Sequence, residues 1–322
     1  MRNRPKVLVS RKIPFKGLSL LREYCEVTVG AEDRMLTRKE LLKLIEGKDG
    51  VLSMLTDQMD KEVMDAAPDL KVISNYAVGY DNIDITEATR RGISVTNTPD
   101  VLTDATADLA WALLMDVARR VTEGDRLNRK GKWKEWAPMF HLGKEVTGSV
   151  LGIVGFGRIG RAMVKRALGF DMEIVYFSRT RLSPAEEQRL GVRYLSFTDL
   201  LQHADFVSLH APYTKETHHL IGADELSRMK ATAYLINTSR GGLIDEKALL
   251  TALREGKIAG AGLDVYEMEP QLTPGLEKLE NVVLAPHLGS ATRETRELMA
   301  WRAAKNVLAE LFDDMGQSNR VN

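Results

Sequence analysis

From residue 7 onward, short runs of aliphatic and β-branched residues alternate with stretches whose apolar positions recur at helical spacing. In the N-terminal part, 7–9, 26–29, 51–55, 72–75 and 93–97 predict strands, while 17–24, 37–46, 61–67 and 85–91 predict helices. Thr37 followed by Glu40 makes a capping box at one helix start. Such alternation implies a mainly parallel sheet covered on both faces. Turn chemistry at Thr98-Pro99-Asp100 marks the expected crossing into a second domain, and Thr103 or Asp104 is the expected cap of a helix over 105–120. Its apolar stripe, Leu109, Leu113 and Val117 widened by Ala110, Trp111 and Leu114, predicts a buried connecting helix. Arg119 and Arg120 are expected against the negative end of its dipole. Ser183-Pro184 reads as another capped helix start, and a helix over 293–312 is expected to return to the N-terminal unit.

The chain is organised around 150–181. Val150, Leu151, Ile153 and Val154 run into Gly155-Phe156-Gly157-Arg158-Ile159-Gly160. An amphipathic segment follows, with Ala162, Met163, Val164, Ala167 and Leu168, and then a second β-type run over 173–177. In this strand, glycine turn, helix and strand, Gly155 permits the tight turn and Gly157 lets a pyrophosphate approach the backbone. Gly160 lets helix and strand pack closely, with the helix N-terminus aimed at the phosphates. Glycine-rich turns are common, but the flanking strand and helix supply the context that a dinucleotide site requires. An NAD site usually carries an Asp or Glu about 20 residues beyond the glycines. Here that place holds Ser178-Arg179-Thr180-Arg181. Two guanidinium groups and two hydroxyls suit a ribose 2′-phosphate, so NADP(H) is expected over NAD(H), the alternative being a solvated basic loop.

The later strands share a feature. Apolar runs end in His210-Ala211-Pro212, in Asn237-Thr238-Ser239-Arg240-Gly241-Gly242, in Asp264 to Pro270, and in Ala285-Pro286-His287-Leu288-Gly289-Ser290. Each delivers polar residues to one rim of the sheet. A nicotinamide site that reduces a carbonyl needs a cation for the substrate oxygens, a proton donor, and a partner that keeps the donor charged. Arg240, His287 and Glu269 suit these roles, and Asp264 is expected against the nicotinamide end of the cofactor. Each has a plainer alternative: a structural ion pair for Arg240, a strand-end histidine for His287 and a turn for Glu269-Pro270. In the N-terminal part, two turns, 53–57 and 75–82, also follow strands. Ala77-Val78-Gly79 is either an anion nest for a substrate carboxylate or an ordinary glycine turn.

Composition narrows the class. A chain of 322 residues accommodates two domains. With 45 basic and 45 acidic residues it has no bias toward nucleic acid or anionic membrane. No apolar run reaches the roughly 20 residues that span a bilayer, and the start of the chain, leading directly into a strand, does not read as a signal peptide. The single cysteine, Cys25, excludes an intrachain disulfide and fits a reducing cytoplasm, and no metal is expected. The aromatic-rich segment with Trp133, Trp136 and Phe140 is either packed locally or laid across a partner subunit, and the second, a dimer arm, is preferred.

Taken together, the runs 75–84, 98–108, 155–160, 237–241, 264–270 and 286–290 resemble the D-isomer-specific 2-hydroxyacid dehydrogenases, in that family's order and over essentially the whole chain. Segments 133–138 and 178–181 are most similar to its glyoxylate/hydroxypyruvate reductase branch. The resemblance implies an α/β fold of two domains, a Rossmann-type doubly wound parallel sheet (99–289, with a dimerisation arm near 121–148) and a flavodoxin-like substrate domain (1–98 and 290–322). It implies Arg240, Glu269 and His287 as the catalytic trio, the Val78 and Gly79 amides on the substrate carboxylate, and Leu55 lining the pocket. The implied cofactor contacts are Gly155, Gly157, Arg158, Ile159, Gly160, Ser178, Arg179, Thr180, Arg181, Pro212, Thr238, Ser239, Asp264 and Gly289. A homodimer with a cleft that closes between domains, and NAD(P)H-dependent reduction of glyoxylate or hydroxypyruvate, complete what it implies. The Ser-Arg-Thr-Arg loop departs from the acidic NAD pattern. D-lactate, 2-ketogluconate and phosphite types remain alternatives, as does an NAD(P)-sensing corepressor-like protein. The formate type is disfavoured because Glu269 is a carboxylate where that branch has a neutral amide.

Overall fold

The computed structural model describes residues 4–312 and 315–322. The chain start discussed above (1–3) and positions 313 and 314 of the expected substrate domain lie outside the described residues. Two compact units are present, 1–102 with 291–322, and 103–290.

The first unit begins with β1 (Lys6–Arg11), α1 (Phe15–Tyr24), β2 (Glu26–Ala31), α2 (Arg38–Ile45) and β3 (Gly50–Ser53). It continues with α3 (Lys61–Asp65), β4 (Val72–Asn75), α4 (Ile85–Arg90) and β5 (Ser94–Thr96). Its sheet is parallel, in the order β2-β1-β3-β4-β5, the flavodoxin-like arrangement. Leu8, Val51, Ile73 and Val95 point into a core with Leu41, Ile45, Val63 and Met64 from the helices. The capping box is present, Thr37 Oγ1 receiving the Glu40 N–H. Strand β3 stops at Ser53, two residues short of its sequence-based end, because the Asp57 carboxylate takes the Met54 N–H at 2.7 Å and turns the chain. Cys25 is buried, and burial pushes its thiol up to about 11, which suits a packing residue.

The second unit opens with α5 (Thr103–Arg119), α6 (Val121–Arg129), β6 (Val150–Val154), α7 (Arg158–Leu168), β7 (Glu173–Phe177) and α8 (Pro184–Leu190). Then come β8 (Arg193–Tyr194), α9 (Phe197–His203), β9 (Phe206–Leu209), α10 (Ala223–Arg228) and β10 (Tyr234–Asn237). It closes with α11 (Glu246–Arg254), β11 (Gly260–Leu263) and β12 (Val282–Leu284). The last helix, α12 (Arg293–Leu311), belongs to the first unit, where Ser74 Oγ donates to the Ala303 carbonyl at 3.0 Å.

All seven strands of the second sheet are parallel, ordered β12-β11-β10-β9-β6-β7-β8. This is the Rossmann order with one added strand, and the direction of winding reverses between β6 and β9. Ligands of such sheets bind at the carboxyl ends beside that reversal. Helix α5 buries Ala110, Leu113, Leu114 and Val117 against the sheet, while Leu109 and Trp111 are half-buried. Its ends differ from expectation. Thr103 is already helical, and Arg120 lies outside the helix at φ 56. Asp116 explains the second difference: its carboxylate accepts the Thr122 N–H and starts α6 one residue after Arg120, whose guanidinium pairs with Glu123 at 2.7 Å. Beyond α6, Trp136 and Met139 are 79% and 78% exposed, so the aromatic segment does not bury itself locally. Among the described residues no helix is long and apolar enough to cross a membrane.

Candidate active site

Because every strand of the second unit runs the same way, the residues after β6, β9, β10, β11 and β12 share one edge. The glycine turn follows β6. Gly155 has φ 91, and a Cβ there would lie 2.4 Å from the Ala211 nitrogen, so only glycine fits. A Cβ at Gly160 would lie 2.3 Å from the Gly155 carbonyl oxygen, whereas nothing lies within 4 Å of one at Gly157. The turn is thus closed on the protein side at Gly155 and Gly160, and open at Gly157, where α7 begins without a side-chain cap. An uncapped helix start beside open space fits a dinucleotide pyrophosphate. Two orphaned polar atoms on this edge, Thr238 Oγ1 and His210 Nδ1, are buried without a hydrogen-bond partner, which also fits a polar ligand there.

The ribose loop follows β7. Arg179 and Thr180 are exposed and Ser178 is half-buried. Arg181, however, is held by Glu187 through Nε at 2.8 Å and Nη2 at 2.9 Å, with its guanidinium over the Tyr194 ring. Glu187 is buried and also accepts the Tyr176 hydroxyl, which in turn receives the Leu182 N–H at 2.9 Å. Arg181 is therefore a strut of the loop. Its partner was hidden because the pair needs a tyrosine from the preceding strand.

After β10, Asn237 builds the turn that presents Arg240. Its Oδ1 accepts the Ser239 N–H at 3.0 Å, and its Nδ2 donates to the Arg240 carbonyl at 2.8 Å. Ser239 Oγ is committed to the Leu209 carbonyl, and Arg240 Nη1 donates to the Ser239 carbonyl at 2.9 Å.

Asp264 follows β11. It is fully buried, and three consecutive N–H groups converge on it. Those of His287, Leu288 and Gly289 reach its carbonyl at 3.0 Å, Oδ1 at 2.6 Å and Oδ2 at 2.8 Å. This nest holds His287 at φ 54, a conformation uncommon for a non-glycine residue. Burial pushes the Asp264 carboxyl above its ordinary value despite these donors. Thr106 Oγ1 completes the anchor by donating to the Gly289 carbonyl at 3.0 Å.

So presented, His287 donates from Nδ1 to Glu269 Oε2 at 2.8 Å, leaving Nε2 for a reacting group. Glu269 Oε1 accepts the Tyr266 N–H at 3.1 Å, and the peptide bond from Glu269 to Pro270 is cis. Burial works to raise the Glu269 carboxyl, but the His287 hydrogen bond and charge, the Tyr266 N–H and the Arg240 charge outweigh it and hold it below its usual range. His210, on the same edge, is a different histidine: burial lowers it to about 3, so it stays neutral, with Nε2 against Ser208 Oγ at 2.8 Å.

In the first unit, the turn after β4 is fixed through its carbonyl groups. The Thr98 N–H donates to the Ala77 carbonyl at 2.9 Å, Asn97 Nδ2 to the Val78 carbonyl at 2.7 Å and Asn75 Nδ2 to the Gly79 carbonyl at 2.8 Å. Leu55, past the end of β3, is half-buried.

The model of the NAD-binding domain of D-isomer-specific 2-hydroxyacid dehydrogenases matches residues 111–289. The chain is 54% identical over 310 residues to a glyoxylate reductase of Thermococcus litoralis, covering 95% of this chain and 93% of that protein. The chain belongs to the D-isomer-specific 2-hydroxyacid dehydrogenases. A solved structure from Thermus thermophilus superposes with a TM-score of 0.92 at 50% identity, covering 98% of this chain and 100% of that one. The NADPH-dependent glyoxylate/hydroxypyruvate reductase of Sinorhizobium meliloti, solved with NADP and malonate, gives 0.85 at 34% identity, covering 99% and 97%.

This dehydrogenase is an enzyme that uses NAD(P), which closes the corepressor-like alternative. Its second unit brings Glu269 and His287 into contact and places the Arg240 charge within reach of the same carboxylate. Asn237 and Thr106, which shape the turns of Arg240 and His287, lie inside the runs 237–241 and 98–108, where no role was expected of either.

Proposed function

We propose that this dehydrogenase reduces glyoxylate, and with it hydroxypyruvate, to the D-2-hydroxyacid, with NADPH as the preferred reductant. The observation that carries the reading is the His287–Glu269 pair at 2.8 Å, on the strand edge that also holds Arg240 and the glycine turn. Identity above half to a glyoxylate reductase supports the substrate class. The nicotinamide, when bound at this edge, supplies the hydride. Arg240 orients the substrate carbonyl and carboxylate through its planar fork. His287 Nε2–H gives the proton to the developing alkoxide while Glu269 stabilises the charged ring. In the first unit, the Val78 and Gly79 amides are carboxylate ligands and Leu55 is an apolar contact. Their carbonyls already have donors, which is what an anion-facing row of N–H groups requires. Gly155 to Gly160 bind the pyrophosphate, and Pro212, Thr238, Ser239 and Gly289 border the same edge.

The test is a panel of glyoxylate, hydroxypyruvate, pyruvate and 2-ketogluconate with each reduced cofactor. Glyoxylate with NADPH is expected to give the highest kcat/KM, and a panel led by pyruvate or 2-ketogluconate removes the substrate assignment. With Arg181 committed to Glu187, preference for the 2′-phosphate rests on Arg179 with Ser178 and Thr180. Arg179→Asp is expected to lower the NADPH-to-NADH ratio of kcat/KM on the order of ten- to a hundredfold, the worth of one charge-assisted phosphate contact. An unchanged ratio defeats the preference.

The arm near 121–148 supports a homodimer, because Trp133, Trp136, Met139 and Phe140 are large apolar side chains left exposed within one short segment. Light scattering is expected to give twice the chain mass, and Trp136→Glu is expected to shift it toward one. A monomeric parent protein rejects the arm.

A further inference from the structure

His219 has no part in the chemistry above, yet it is bonded to both sides of it. It lies between β9 and α10, at φ 52. Its N–H donates to the Gly242 carbonyl at 2.8 Å, two residues beyond Arg240. Its ring Nε2–H donates to Glu267 Oε1 at 2.6 Å, two residues before Glu269. Glu267 is tied in turn to the head of α11. Its N–H meets Glu246 Oε1 at 2.8 Å, its Oε2 takes the Glu246 N–H at 3.2 Å, and Glu246 Oε2 accepts the Thr273 hydroxyl at 2.6 Å.

The two segments so joined already press together, for a Cβ at Gly241 would lie 1.8 Å from the Tyr266 carbonyl carbon. The loop that carries His219 closes on itself. His218 stacks on His219 with ring centroids 3.8 Å apart, the Tyr213 hydroxyl lies 3.2 Å from His218 Nδ1, and the Tyr213 ring packs where Gly242 has no side chain. Among the described residues, the ionisable groups against the His219 ring are Glu267 and His218, backed in turn by Glu246 and Tyr213.

We propose that His219 is a positioning residue for the reduction, binding the Arg240 turn to the Glu269 segment so that guanidinium, carboxylate and the His287 ring keep a single alignment. This rests on the trio assigned above. Glu269 reaches His287 from a short segment whose backbone is located by Glu267 and Glu246. Freeing Glu267 from His219 lets that segment drift away from the Arg240 turn, and both contacts to the reacting oxygen loosen together.

His219→Asn tests the idea, since asparagine tolerates positive φ but is too short to reach Glu267. At saturating NADPH, kcat for glyoxylate is expected to fall about tenfold, the scale of a sub-ångström misplacement, with KM nearly unchanged. The basic limb of the kcat profile is expected to move to lower pH, because a displaced Glu269 stabilises the imidazolium less. Glu267→Gln should show the same signature, and the double variant should be no worse than the poorer single one. A lower melting temperature with kcat and its basic limb unchanged makes His219 a fold residue only and overturns the inference. A fully active His287→Ala enzyme brings down the trio itself, whereas an inactive one beside an unaltered His219→Asn removes only the role of His219.

Discussion

His287→Ala is expected to lower kcat for glyoxylate by about two to four orders of magnitude, the usual worth of a positioned general acid. The fold should survive, because the turn is anchored by the backbone N–H groups of 287–289 on Asp264, not by the imidazole. No neighbour takes over: His210 shares the edge, but burial holds it at about 3 and its Nε2 is engaged with Ser208. The pH dependence carries a sign. Reduction requires the charged ring, so its rate falls as pH rises through the point where the ring loses its proton. Glu269 stays ionised in the free enzyme because the hydrogen bond and charge of His287 outweigh its burial, and Glu269→Gln replaces that negative charge with a neutral amide. Glu269→Gln should therefore move the basic limb of reduction to lower pH, while oxidation of the hydroxyacid, which needs the neutral ring, should extend to lower pH. Near-parental turnover in a folded His287→Ala protein would remove the acid, and an unmoved limb in Glu269→Gln would remove its partner.

What was legible in the sequence follows from what is local. Periodicity and turn chemistry are local, so strands, helices, the capping box at Thr37 and the glycine turn could be read directly. Parallel strands place every carboxyl end on one edge, so Arg240, Asp264 and His287 could be assigned to a common rim before any distance was known. Partner choice is not local. Arg181 pairs with Glu187, which Tyr176 also holds, and the N–H groups of Leu288 and Gly289 close on the Asp264 carboxylate, partnerships that no local pattern announces. His219 gave no signal, because its two partners come from segments that follow different strands and meet in the fold, where Gly241 packs on Tyr266 and Glu246 binds Glu267. Arg120 escaped the helix pattern because an aspartate four residues earlier starts the next helix. In each case the sequence showed the charge and the fold chose its counterpart.

Arg240→Ala is expected to cost about a hundred- to a thousandfold in kcat, the loss seen when one preorganised electrostatic contact to a developing oxyanion is removed. It should raise KM as well, since the same guanidinium is assigned to the substrate carboxylate in the ground state. Arg240→Lys separates the two contributions. The charge remains, but an ammonium on a flexible stem cannot make two parallel bonds, so lysine should recover part of KM and little of kcat. The turn itself should be indifferent to either change, because Asn237 holds it through the Arg240 carbonyl and the Ser239 N–H. One further consequence separates a catalytic from a structural arginine. The Arg240 charge helps to keep the Glu269 carboxyl low. Removing it should let that carboxyl take up a proton at higher pH, so any residual activity should lose its acid side earlier as pH falls. A variant that melts normally, loses less than tenfold in kcat and keeps its acid limb would leave Arg240 as an ordinary ion-pair residue, and the polarising cation would have to be sought elsewhere on the rim.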